Sequence, residues 1–389
     1  METPKTISVS RIMLDFAERT GLAPASVSPE RYLWTDAFAV CNFLGLYMQT
    51  GDEQYRHLAV DLVGQVHAVL GRHRQDDERA GWISGLSEEE GRKRPTAGGL
   101  RIGKKLNERK LSEPFDEQLE WDRDGQYFHY LTQWMHALDS VSRATGDPVF
   151  NRWATELAKA VHAGFVYRPR KGAEKRLYWK MSIDLSYPLV ASMGHHDPLD
   201  GIITYYELQE TSRRLSGQSS SQDLSGEIAD MTRICADKNW ATDDPLGIGG
   251  LLTGACRIAH SIFSGNDAGS GLFDKVLQDS LSSLQVFDSR SLRLPADYRL
   301  AFRELGLSIG LQAVRKFKGL VGQRPDAFRR SAIASILRSF EKHLPLVETI
   351  NTFWLNEKNR RSAIWTEHLN INMIMLATSL SPDGYLSFP

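Results

Sequence analysis

Residues 36–70 read DAFAVCNFLGLYMQTGDEQYRHLAVDLVGQVHAVL, and the contrast between the two halves of this stretch decides the fold class. As far as Met48 the run is apolar nearly all round, the pattern of a helix buried on every side. Beyond it, Tyr55, Leu58, Ala59, Leu62, Val63, Val66, Val69 and Leu70 recur at helical spacing with charge between them, the pattern of a helix with one dry face. Thr50-Gly51-Asp52 separates the two: glycine stops the first helix and the acid caps the second. The stretch predicts a helical hairpin of one buried and one half-exposed helix.

The unit recurs along the chain. Residues 126–144 carry Tyr127, Phe128, Tyr130, Leu131, Trp134, Met135 and Leu138; the turn Thr145-Gly146-Asp147 follows; then 148–166 present Phe150, Trp153, Leu157, Val161 and Phe165 on one face. A third hairpin is expected at about 199–236, turning at Gly217-Gln218-Ser219-Ser220-Ser221. A fourth is expected at about 248–286, turning at Ser264-Gly265-Asn266-Asp267, and a fifth at about 298–343, turning near Gly322-Gln323-Arg324-Pro325. An amphipathic N-terminal helix with Ile7, Ile12, Met13 and Phe16 and an apolar C-terminal helix, Glu367 to Thr378, are left to pair as a sixth hairpin. An open solenoid of the same hairpins needs a constant period. The spacing from one turn to the next shrinks instead, so a closed ring is expected, one domain over 1–389.

Composition excludes several classes. With 389 residues and 41% hydrophobic content the chain has ample material for a core. Its 47 Lys+Arg against 48 Asp+Glu give no general attraction to nucleic acid. Cys41, Cys235 and Cys256 form neither a disulfide framework nor a C-x-x-C pair, which fits a reducing compartment. No run of about 20 uninterrupted apolar residues suggests a membrane span, and METPKTISVSRIMLDF does not read as a secretory signal. A cytoplasmic protein without membrane or nucleic-acid partners is the expectation.

The T-G-D turn with an aromatic three residues on, Thr50-Gly51-Asp52 to Tyr55 and Thr145-Gly146-Asp147 to Phe150, resembles that of the six-hairpin glycosidases and sugar epimerases. The resemblance covers nearly the whole chain and implies an all-α (α/α)6 toroid. In such a ring the starts of the buried helices converge on one face. Here those starts carry Tyr32-Leu33-Trp34-Thr35-Asp36, Glu120-Trp121-Asp122-Arg123-Asp124 running on to Tyr127 and His129, His195-His196-Asp197-Pro198-Leu199-Asp200, Trp240 to Pro245, Leu294 to Arg299 including Asp297, and Trp365-Thr366-Glu367-His368. Any single acid reads as an N-cap, the reading adopted for Asp197, Asp243 and Asp244. Aromatics beside the acids, and histidines on the same rim, fit a sugar pocket better, because aromatic faces stack on sugar C–H faces and carboxylates and imidazoles bind hydroxyls.

A glycoside hydrolase acting on an acidic or otherwise anionic sugar is the leading expectation and a sugar epimerase or isomerase the alternative: the resemblance implies catalytic acids at the starts of inner helices, and the positions that match are Asp36, Asp124 and Glu367, two of which would act as the pair, with Arg123 or Arg299 as nearby charges. The resemblance implies histidine acid/base chemistry if the protein is an epimerase, with His129, His196 and His368 as candidates. Substrate-binding expectations are Trp34, Trp121, Tyr127, His129, His195, His196, Asp200, Asp297, Arg299, Trp365 and His368. A small-molecule or oligosaccharide substrate is expected and no cofactor is called for. His195-His196-Asp197 lacks the spacing of a metal site, and Gly98 to Gly103 fits no phosphate loop. A non-catalytic sugar-binding or scaffold protein remains a further alternative.

The connection 72–119 is long for a compact domain. Its 92–110 portion holds eight cations, Arg92, Lys93, Arg94, Arg101, Lys104, Lys105, Arg109 and Lys110, against the single acid Glu108. It reads either as a solvated basic loop or as a lid that draws an anionic sugar to the pocket.

Overall fold

The computed structural model describes residues 4–216, 223–265, 269–328 and 333–387. In chain order the helices are α1 (Pro4–Arg19), α2 (Leu33–Thr50), α3 (Glu53–Leu70), α4 (Glu88–Lys93), α5 (Glu117–Asp122), α6 (Phe128–Thr145), α7 (Pro148–Phe165), α8 (Asp197–Ser216), α9 (Ser225–Cys235), α10 (Pro245–Phe263), α11 (Ser270–Val286), α12 (Ala301–Gln323), α13 (Ile333–Glu341), α14 (Pro345–Leu355), α15 (Ala363–Glu367), α16 (Leu369–Leu380) and α17 (Asp383–Leu386). Five short strands interrupt them: β1 (Gln126–Tyr127), β2 (Val166–Tyr167), β3 (Arg176–Leu177), β4 (Lys180–Met181) and β5 (Pro188–Val190).

The chain divides into two compact units. The first comprises Ala17–Tyr47 and Asp52–Asp237, and the second the chain up to Phe16, Met48–Gly51 and Lys238–Phe388. The expected hairpins are α2 with α3, α6 with α7, α8 with α9, α10 with α11, and α12 with α13. In α2 every residue from Leu33 to Leu46 is buried, whereas α3 buries one stripe running from Tyr55 to Leu70. The T-G-D turns work as read. Gly51 and Gly146 take the left-handed φ of +72° and +74° that ends a helix. Asp52 and Asp147 each accept the N–H of the residue two further on, at 2.9 Å. The Gly217–Ser221 turn lies outside the described residues, as do Asn266 and Asp267 of the fourth turn. α1 as far as Phe16 and α16 both belong to the second unit. Helix α14 was not expected from the periodicity.

In the second unit α10 and α12 cross backbone on backbone. A Cβ at Gly249 would lie 2.1 Å from the carbonyl oxygen of Gly306, and one at Gly310 would lie 2.6 Å from the Cα of Gly249. Glycine is the only residue that permits this approach. Among the described residues α10 alone is long and apolar enough to cross a membrane, and 67% of that stretch is buried within the structure, as in a core helix.

The strands form two small antiparallel sheets in the first unit, β1-β4-β5 and β2-β3. They were not expected, since runs of two or three residues leave no alternation to read. Tyr127 pairs with Lys180 and Gln126 with Met181, so the sheet fixes the entry of α6.

Candidate active site

In the first unit the starts of α2, α6 and α8 come together. The segment leading into α6 is held by three side chains. Gln126 accepts the Leu100 N–H at 2.9 Å and donates to the carbonyls of Gly98 and Ile183 at 3.0 and 2.6 Å. Asp124, fully buried, accepts from Arg101 at 2.9 Å, Arg74 at 3.4 Å and the N–H groups of Gly103 and Gly125 at 2.9 and 3.1 Å. Lys180, also fully buried, donates to the Glu120 carboxylate at 2.9 Å and to the carbonyls of Glu120 and Arg123 at 2.7 and 2.8 Å. Burial pulls the Lys180 ammonium below its ordinary pKa, against the opposing pull of Glu120.

On this frame stands an aromatic cluster. The hydroxyls of Tyr32 and Tyr130 share a 2.7 Å hydrogen bond. The Tyr130 ring packs against Trp34, Tyr127 and His129 at centroid distances of 6.4, 5.2 and 4.7 Å. Tyr127 continues onto Trp179, and Trp179 onto the exposed Trp121, each at 5.3 Å.

Within the cluster, His129 Nδ1 lies 3.5 Å from Asp197 Oδ1. His129 leaves 30% of its side chain open and Asp197 only 6%. Burial dominates both groups: it holds the imidazole down to about pKa 4 and pushes the Asp197 carboxyl well up, with the neighbouring charge of Asp200 adding to the rise. Asp197 Oδ2 is buried without a hydrogen-bond partner. The carboxyl sits against Gly194, where a Cβ would meet it at 2.4 Å and force it to shift. Buried polar atoms in native proteins nearly always have partners. The Asp197 carboxyl, with one oxygen orphaned, and the half-open His129, whose Nδ1 is also without a hydrogen bond, make this cluster the candidate site.

No family model matches the chain, and no curated protein matches it in sequence. Solved structures resemble it in fold. The GH76 α-mannanase of Bacteroides thetaiotaomicron superposes with a TM-score of 0.55 at 8% identity, covering 98% of this chain and 96% of that one. The cellobiose 2-epimerase of Bacillus thermoamylovorans gives 0.49 at 10% identity, over 90% and 87%. A D-mannose isomerase gives 0.49 at 12%, over 98% and 100%. The chain has the (α/α)6 toroid fold.

On this toroid the residues singled out from the sequence take different places. Asp36 is buried in the first turn of α2. It reaches back to the Tyr32 N–H at 3.0 Å and lies 3.6 Å from Arg31, and burial raises it to about 6 against the Arg31 charge. Asp124 has its oxygens consumed by the four donors above. Arg123 is paired with Glu113. His195 is exposed, His196 and Asp200 half-buried, and the two histidine rings lie 4.7 Å apart.

In the second unit Glu367 is exposed at the end of the five-residue α15. Trp365 is buried and stacked on Trp354 at 5.4 Å. Asp297 caps the Ala363 N–H at 3.1 Å. Arg299 is buried in a bidentate pair with Glu304, at 2.9 and 2.6 Å, and over the Phe353 ring. His368 packs edge-on to Phe302. A cleft of about 300 Å³ opens there at the starts of α10 and α12, with Asp243, Phe287, Tyr298 and Arg303 in its walls.

The basic stretch is mostly neutralised within the first unit. Arg92 pairs with Glu88, Lys93 with Glu89, Arg94 with Glu156, Arg101 with Asp124, Arg109 with Glu120 and Lys110 with Glu78. Among the described residues no group of three or more His, Cys, Asp or Glu is placed to hold a metal ion.

The sequence reading named Tyr32 only as part of a helix start, took Asp197 as a cap, and did not bring Tyr130, Trp179 or Lys180 into this cluster. Tyr130 carried a signal, being next to His129. Asp197 carried one too, in the run H-H-D, but its place at a helix start made a cap the simpler reading.

Proposed function

We propose that this protein is a carbohydrate-active enzyme that moves a proton on a sugar, an isomerase or epimerase, with His129 and Asp197 as its acid/base pair. The carrying observation is the 3.5 Å approach of His129 Nδ1 to a carboxyl whose other oxygen is buried and unpartnered. With its proton the pair donates to a sugar oxygen or carbon through the imidazole; without it the imidazole accepts one, with Asp197 orienting the ring. Tyr130, half-buried beside His129, supplies an aromatic face for the sugar ring, with the buried Tyr127 and Trp34 packed behind it. The mannanase likeness supports a sugar substrate by analogy of fold alone.

A hydrolase is the second reading. It is favoured by the raised Asp197 carboxyl, which has the protonation a general acid needs, with Asp200 one turn on. Of the acids nominated for a hydrolytic pair, Asp124 is fully engaged and Asp36 is tied to its own helix start, which weighs against it.

The test is incubation of the full chain with reducing monosaccharides in D2O, followed by proton NMR. Loss of a C–H signal next to the carbonyl carbon, with a second sugar appearing, supports proton transfer, and His129→Ala must abolish it. Release of new reducing ends from mannan without deuterium uptake replaces it with the hydrolase reading.

A further inference from the structure

Six of the eight cations in 92–110 are bound to carboxylates, and Lys105 is exposed to solvent. Lys104 is different. Its side chain is half-buried, and its Nζ stands 5.4 Å from the centre of the Tyr32 ring. No carboxylate lies within ion-pair reach of it among the described residues. Asp122 and Asp124 act on it only through space, and the Asp124 oxygens already serve four other donors. Desolvation accordingly draws the ammonium below its usual pKa. A half-buried charge without a counter-ion is unfavourable, and it stands out in a loop whose other buried or half-buried cations have found acids. Its ring partner Tyr32 is hydrogen-bonded to Tyr130, and Tyr130 packs on His129.

We propose that Lys104 is the specificity residue of this site and binds the anionic group of a sugar acid or sugar phosphate held against His129. The inference rests on the reading of the His129–Asp197 cluster as a sugar site. It adds the substrate class: the missing counter-ion is supplied by the ligand, and the Tyr32 and Tyr130 rings bridge from the charge to the acid/base pair.

The test measures calorimetric binding and turnover of glucuronate, glucose 6-phosphate and glucose by the full chain, at low and high salt. At least one anionic sugar is expected to bind about tenfold or more tighter than glucose, the size of a charge-assisted hydrogen bond, with the advantage shrinking in salt. Glucuronate and the phosphate, measured separately, tell which anion is preferred. Lys104→Met should erase the preference and Lys104→Arg retain part of it, while His129→Ala should keep the preference and lose turnover. If Lys104→Met binds the anionic sugars as wild type does, or if glucose binds equally well, Lys104 merely covers Tyr32 and the proposal falls while the sugar reading stands. If an anionic sugar binds through Lys104 but no proton is exchanged, the proton-transfer reading fails and the binding role survives. If no sugar binds at all, both fail.

Discussion

His129 and Asp197 come from different helices and share no local pattern, which is why only one of them was legible. His129 stood out among aromatics at a helix start. Asp197 opens α8, and an acid in that position satisfies first-turn amides in most helices; that its carboxyl meets a histidine of α6 is a tertiary fact. If the pair is the acid/base unit, Asp197→Asn and His129→Gln should each lower kcat by roughly 10²–10⁴-fold while KM changes far less. Asp36→Asn should leave kcat nearly unchanged and lower the melting temperature, since that carboxyl serves its own helix start; steady-state kinetics beside thermal melts separate the two outcomes. A second prediction concerns His67, buried, accepting the Trp134 Nε1–H at 3.2 Å and held down to about pKa 3 by burial. The unfolded histidine, near 6.5, binds protons more readily. Its contribution to stability is therefore full above pH 6.5 and drains away as pH falls toward 3. Between pH 7 and pH 5 wild type should lose about 2 kcal/mol more stability than His67→Gln, measured by urea unfolding at both pH values; equal losses would refute the assignment.

At the scale of elements, two kinds of glycine behave oppositely. Gly146 ends α6 at φ +74° with nothing within 4 Å of a notional Cβ. Gly146→Ala therefore costs only backbone strain, about 1 kcal/mol. Gly249 has no unusual φ, but its Cβ would press into the Gly306 carbonyl. Gly249→Ala must push α10 and α12 apart, and overpacking of this kind costs about 1–3 kcal/mol or more. The larger loss should fall on Gly249, and denaturant midpoints of the two variants decide it. The contrast explains what the sequence could disclose. Turns are local, so T-G-D and the two helix periods announced the hairpins. The crossing of α10 on α12 joins Gly249 to Gly306 and Gly310, and no window of neighbouring residues contains it. The strands around β4 were invisible for a related reason: they exist because Gln126 and Tyr127 pair with residues more than fifty positions away.

Over the whole molecule, near-neutrality is achieved by pairing rather than by mixing. The block 92–110 looked like free positive charge because its acids lie elsewhere in sequence, at Glu78, Glu88, Glu89, Glu120, Asp124 and Glu156. The ring of hairpins was readable from local patterns; the role of its longest connection was not, since the same cations serve as a solvated loop, a lid or a brace according to partners that spacing does not reveal. Asp124 is the test of the brace. Its four donors come from Arg74, Arg101, Gly103 and Gly125, so one carboxylate fastens the connection at three points to the residues that lead into α6. Asp124→Ala removes the common acceptor and leaves two guanidinium groups without their buried partner, a loss of roughly 3–5 kcal/mol for a broken buried pair. The damage should be confined. The hairpins α2–α3 and α6–α7 have their own apolar faces and caps, so far-ultraviolet circular dichroism should keep its helical amplitude. The connection 72–119 should become the first site of tryptic cleavage, because its arginines and lysines sit in irregular backbone once the fastening is gone. Arg101→Met, which deletes one donor and leaves the others, should give the same cleavage pattern at a slower rate. Cleavage of both variants at the wild-type rate would mean that the paired charges are dressing on a connection held by something else. Cleavage spread over the helices would mean that Asp124 supports the core rather than the loop.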